Sequence, residues 1–124
     1  MASLDLPRGA VITIAGGDSE FGSKPRPAIL LQATARFGGE VPLPICPMTS
    51  TALVTPPLDI AVEAPLLRIP VPANAATGLL VPSWAAIDAV QTIRRRRVGQ
   101  HIGSVDAAIL QAIDRALMVF LGIA

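Results

Sequence analysis

Apolar residues recur at helical spacing near the end of this chain. Val105, Ile109, Ala112, Ile113, Ala116, Leu117 and Phe120 form one stripe, while Asp106, Gln111, Asp114 and Arg115 lie off it. Ser104 suits the N-cap, Asp106 the first turn, and Gly122 the stop. Leu110, Met118 and Val119 widen the apolar face, as in a helix touched from two sides. Everything earlier reads as short strands cut apart by Pro and Gly. Strands first and one terminal helix predict a mainly β domain with a C-terminal helix, built as a small barrel. At 124 residues the chain is expected to be a single domain, 1–124, with a modest core.

The strands are read in order. Gly9 to Ala15 is β-branched and apolar. Residues Gly16 to Pro25 form a Gly-rich, mostly polar loop, too long for a tight hairpin. A second strand is expected from Arg26 to Ala33, and Phe37 to Glu40 supply a turn. Val41 to Met48 reads as a third strand, an edge or irregular one because it carries Pro42, Pro44 and Pro47. Two short strands follow at Leu58–Glu63 and Leu66–Val71, then a loop through Gly78, then a strand from Trp84 to Ile93 leading into Arg94–Arg97.

Hydrophobic residues make up 52% of the chain, which suggests that part of its surface is covered by a partner, most simply a second copy. No apolar run approaches the roughly 20 residues that span a bilayer. The N-terminus lacks the basic start and apolar core of a signal peptide, so a cytoplasmic location is expected. The net charge of +1 leaves attraction for a polyanion to local clusters. Aromatics at 3%, with no Tyr, argue against a reader built on stacking. One Cys and one His rule out an intrachain disulfide and weigh against a zinc site. Cys46, between Ile45 and Pro47, reads as a buried small hydrophobe. Carboxylates are not clustered at ligand spacing, so no metal and no cofactor are expected.

Chemistry centres on Gly22-Ser23-Lys24-Pro25-Arg26-Pro27 and the apolar run Ala28–Leu31 behind it. Pro27 holds Arg26 extended, at the mouth of a strand. A guanidinium there matches two oxygens of a phosphate, or it is a solvated surface arginine. Thr49, where the third strand ends, is its best partner if strands two and three are neighbours. The arginine would neutralise charge on a pentavalent phosphorane, and the hydroxyl would bond one of its oxygens. With RNA, the 2′-OH of the substrate is the nucleophile. Thr49 is otherwise a turn hydroxyl bonding its own backbone. Asp18 and Glu20 could move protons or simply be solvated, and Lys24 could steer phosphate. Trp84 is read as core. Arg94–Arg97 is an RNA-backbone contact, a contact for an acidic protein, or a solvated edge that blocks aggregation.

Taken in order, several stretches of the chain resemble one family. They are Arg8-Gly9, Val11–Ile14, Gly17-Asp18-Ser19-Glu20, Lys24-Pro25-Arg26-Pro27-Ala28, Pro47-Met48-Thr49-Ser50, Gly78-Leu79, Pro82-Ser83-Trp84, Asp88-Ala89-Val90, Arg95–Gly99 and Ile102-Gly103. The family is the MazF/PemK toxins of type II toxin–antitoxin systems. The resemblance implies a small SH3-like barrel of the CcdB/MazF type, forming a homodimer. It implies a growth-inhibiting mRNA interferase: a metal-independent, sequence-selective endoribonuclease that cuts single-stranded RNA to a 2′,3′-cyclic phosphate and a 5′-OH. It places the catalytic roles on Arg26 and Thr49, with the acidic loop residue at Glu20. Substrate contacts are expected from Ser19, Lys24, Ser50 and Ser83. A cognate antitoxin is the expected partner, covering the RNA groove. Gly9-Ala10 departs from the Gly-Asp of many members. Two other activities share this fold: gyrase poisoning of the CcdB type, resting on residues 118–124, and a module that binds without catalysis.

Overall fold

The computed structural model describes residues 5–15, 26–50 and 67–124. The expected strand Leu58–Glu63 and the loop residues Asp18, Ser19, Glu20 and Lys24 lie outside these ranges. Among the described residues seven strands form one sheet: β1 (Ala10–Ile14), β2 (Arg26–Leu30), β3 (Leu43–Thr49), β4 (Arg68–Val71), β5 (Ser83–Ala86), β6 (Gln91–Ile93) and β7 (Val98–Ser104). The order across the sheet is β4-β5-β3-β2-β1-β7, every pair antiparallel, with β6 also on β3. A C-terminal helix, α1 (Ala107–Phe120), follows.

The central strands are apolar on both faces because both faces are covered. Val11, Ile29, Cys46, Met48 and Ala85 pack with Ile113 and Ala116 of α1 on one side. Ala10, Ile12, Ala28, Leu30, Leu43 and Ile45 form a second cluster with Leu6 and Ile93, and Val98 packs against it. The sheet therefore curls around two small cores. The register shifts between β1 and β7 supply local twist for that curl.

β3 is not an edge strand, contrary to expectation. It pairs with β2 on one side and with β5 and β6 on the other. Its prolines survive because their missing donors fall where a neighbour has stopped. Pro44 faces β2 just past its end, and its carbonyl accepts the Leu31 N–H at 3.0 Å. Pro47, by alternation, faces the break between β5 and β6. A 3-10 turn, Ile87–Ala89, makes that break, so the expected continuous strand Trp84–Ile93 is two strands. The Arg94–Arg97 run is likewise no strand. Arg95–Arg97 form a second 3-10 turn that enters β7, a strand absent from the sequence reading.

The barrel is loose rather than closed: β4 and β7 share no ladder, and the turn after β4 fills the gap. Asn74 Oδ1 accepts the Thr77 N–H at 2.9 Å, the Thr77 hydroxyl donates to Pro72 O at 2.7 Å, and the Ser104 N–H reaches Ala76 O at 2.8 Å. Gly78, at φ +71°, and Gly103 permit this approach. A Cβ on Gly78 would lie 2.0 Å from Ile102 O, and one on Gly103 would lie 2.3 Å from Thr77 O.

The N-cap of α1 is Asp106, not Ser104, which belongs to β7. Asp106 Oδ1 accepts the Ile109 N–H at 2.8 Å. The stop is at Gly122 as expected. Gly122 N–H bonds Val119 O and Ile123 N–H bonds Met118 O, with Gly122 at φ +75°. That pattern is a Schellman motif. Ile113 and Ala116 are buried, whereas Met118, Val119, Phe120, Leu121 and Ile123 are exposed. Phe120 thus leaves the expected core stripe and joins an apolar tail.

Candidate active site

The β2–β3 register carries the site. The β2–β3 ladder runs from Leu30–Ile45 to Ala28–Pro47, and Arg26 and Thr49 end their strands two residues beyond that last pair. Both belong to the parity of Ala28, Leu30, Leu43 and Ile45, so the strand period sends them to one face. Arg26 is exposed at the strand mouth and Thr49 is half-buried.

Both line one cleft of about 780 Å³, together with Ser50 and Ser83. Four of the expected site residues are therefore gathered in one place. Ser83 is buried, and its hydroxyl donates to Val81 O at 3.1 Å, which orients it. Trp84, expected in the core, is half-buried in β5 and pairs with Thr49 in the ladder.

Other walls of the cleft were missed by the sequence reading. Thr13 of β1, Met48, Gly78, Leu79, Leu80, Val81 and Ile102 also line it. Thr13 pairs with Pro27, so the register of β1 against β2 was the signal that could have found it. Its hydroxyl accepts the Gln100 N–H at 2.9 Å, tying β7 to the site. The wall from Gly78 to Val81 has only its glycine as a sequence signal. It reaches the cleft because Gly78 lies against the β7 backbone.

Charge elsewhere is mostly structural. Arg8 pairs with Asp114 of α1 and donates to Leu31 O at 3.0 Å, pinning the N-terminal segment to the helix. Arg68 pairs with Asp88 across β4 and the 3-10 turn. Cys46 is fully buried, as expected. Burial pushes its thiol up to about 12, Asp88 adds to the rise, and Arg68 opposes it. The thiol is therefore neutral and unreactive at neutral pH. His101 stands exposed on β7. Among the described residues, no three His, Cys, Asp or Glu side chains converge.

A curled antiparallel sheet, one terminal helix and a cleft lined by a guanidinium and several hydroxyls define a small, mainly β domain with a C-terminal helix. Comparison with known proteins narrows this. Residues 7–121 match the family described as PemK-like, MazF-like toxin of type II toxin–antitoxin system. The chain belongs to that family. It is 35% identical to a probable endoribonuclease MazF of Mycolicibacterium smegmatis over 119 residues, 96% of this chain and 99% of that protein. Two solved structures share the fold. MazF in a MazE–MazF crystal structure from Deinococcus radiodurans is 20% identical, with a TM-score of 0.70 over 98% of this chain and 100% of that one. The Mycobacterium tuberculosis toxin MazF-mt6 is 24% identical, with a TM-score of 0.65 over 91% of this chain and 97% of that one.

Proposed function

We propose that this chain is an endoribonuclease toxin that cuts single-stranded RNA by metal-independent transesterification and is silenced by a cognate antitoxin. The observation that carries the mechanism is that Arg26 and Thr49, at the ends of the paired strands β2 and β3, line one cleft. The substrate's 2′-OH attacks the adjacent phosphorus. A 2′-O–P bond forms, the P–O5′ bond breaks, and the products are a 2′,3′-cyclic phosphate and a 5′-OH. Arg26 neutralises the charge that builds on the phosphorane oxygens, an interaction strongest at the transition state. The Thr49 hydroxyl donates to one of those oxygens. Ser50 and Ser83 position the strand, with Lys24 and Ser19 from the preceding loop. Glu20 takes the 2′-OH proton, and the leaving 5′ oxygen takes a proton from solvent water as the P–O5′ bond breaks.

RNA as substrate goes with a cytoplasmic site of action. No helix among the described residues is long and apolar enough to cross a membrane. The exposed tail Met118–Ile123 supports a homodimer, since contiguous exposed apolar surface marks an interface. Antitoxin control is supported by family membership and by the MazE–MazF assembly of the Deinococcus radiodurans relative.

The test is incubation with a long RNA in EDTA, followed by mapping of the cut ends. Cyclic phosphate ends and 5′-OH ends, lost in Arg26→Ala, are expected. An RNA left intact beside inhibited gyrase supercoiling would replace this reading with the CcdB type.

A further inference from the structure

The other end of β3 holds a second set of arginines that the cleft does not use. Arg94, Arg95 and Arg96 line a separate cleft of about 480 Å³ with Gly39, Glu40 and Pro42. The three arginines have different jobs. Arg95 donates to three backbone carbonyls of the facing turn: Thr34 O at 2.7 Å, Val41 O at 2.9 Å and Phe37 O at 3.4 Å. It locks residues 34–41 to the 3-10 turn. Arg94 and Arg96 are exposed, and neither is in an ion pair among the described residues. The locked turn also presents Phe37, which is 51% exposed, one of only three Phe in the chain. The Arg36 guanidinium lies 5.1 Å from its ring centroid.

We infer that this end of the molecule is a second contact for single-stranded RNA, gripping the substrate away from the scissile phosphate. Arg94 and Arg96 hold backbone phosphates and Phe37 stacks a base, the pairing of cationic groove and aromatic platform that single strands require. The Glu40 carboxylate repels phosphate and confines the strand to the arginine side. This inference rests on the endoribonuclease reading and extends it. From Leu43 to Thr49, β3 spans roughly 20 Å, so a strand reaching both ends carries several nucleotides between them. The sheet supplies a route, because the 94–97 segment crosses from β6 beside Leu43 to the start of β7, where Val98 and Arg26 both pair with Ile14. An acidic protein partner is the competing occupant. A half-exposed aromatic ring on the turn held by Arg95, together with two exposed guanidinium groups not ion-paired among the described residues, favours RNA, since a nucleotide offers both a base face and a phosphate.

The experiment compares a short RNA spanning only the cut site with RNAs extended on either side. Cleavage is followed by kcat/KM and binding by fluorescence anisotropy across a salt series. In the wild type an extended RNA is expected to bind more tightly and to be cut at lower KM. Arg94→Gln/Arg96→Gln should remove that advantage and reduce the slope of log K against log salt by about 0.7 per lost phosphate contact. Phe37→Ala should weaken extended RNA by about 5- to 150-fold. Equal binding of short and extended RNA by the wild type overturns the inference, as does a slope unchanged in the double variant. Loss in that variant of binding to a polyglutamate peptide, with RNA binding intact, overturns it in favour of a protein partner. Because binding is read without cleavage, an inactive enzyme would count against the endoribonuclease reading and not against this surface.

Discussion

The two ends of β3 use arginine in opposite ways. At the Thr49 end a single guanidinium, Arg26, shares one cleft with the Thr49 hydroxyl. At the Leu43 end several guanidiniums crowd a 3-10 turn, and one of them, Arg95, is consumed in holding backbone. Charge density therefore does not mark the proposed chemistry. Geometry does: two paired strands bring one cation and one donor to one cleft, whereas a turn presents several cations side by side. The sparse end is suited to stabilising a single transition state, and the dense end to holding a backbone wherever it passes.

Substitutions can break this contrast. Arg26→Ala should lower RNA cleavage by about 10²–10³ in kcat, the scale for one lost transition-state donor. It should leave anisotropy with an extended RNA largely intact. Full cleavage by that variant would dissolve the distinction between the ends. Gly78→Ala acts on the wall of the same cleft. Its Cβ would meet Ile102 O, and its backbone is left-handed at φ +71°. The αL cost and the overpacking together predict about 3 kcal/mol of lost stability, visible as a lower denaturation midpoint and weakened cleavage.

At the dense end, Arg95→Ala removes three carbonyl bonds at a half-buried site and should cost about 2 kcal/mol. Proteolysis within residues 34–41 should rise, while cleavage of a short RNA should change little. Arg94→Ala at the exposed neighbour should cost almost nothing in stability, and a loss equal to that of Arg95→Ala would mean the two share one role.

Cys46 sits midway along β3 and senses the core between the ends. Its thiol stays protonated in the fold up to about pH 12, while the unfolded chain releases that proton from about pH 9. The unfolded state is therefore favoured as pH rises. Above pH 9 stability should fall by about 1.4 kcal/mol per pH unit from this group. Denaturant midpoints of Cys46→Val should lack that component of the decline.

The smallest effect is a control outside both ends. Asp106→Ala removes the N-cap of α1 and should cost about 1 kcal/mol, with unchanged RNA affinity at either end.

Local chemistry made much of the fold legible. Pro27 announced an extended Arg26, the β-branched run announced β1, and the helical stripe announced α1 with its Gly122 stop. Those signals are short-range: a proline ring, a side-chain period or a glycine's backbone freedom acts within a few residues. The same range explains the errors. Ser104 looked like a cap because hydroxyls cap helices, yet its N–H is taken by Ala76 O across the gap between β4 and β7. β3 looked like an edge because it holds prolines, and only the neighbours' end points decide whether a missing donor matters. Phe120 obeyed the stripe, yet among the described residues it stands exposed.

The residue types of the site, a guanidinium and a hydroxyl at strand ends, were set by the chain itself. Their meeting was not, because a ladder's register depends on which strands become neighbours and how both faces are buried. The Thr13 wall, the reach of residues 78–81 into the cleft and the Arg95 lock on residues 34–41 come from contacts between segments far apart in sequence. Local preferences cannot carry that information, and the packing of the two cores supplies it.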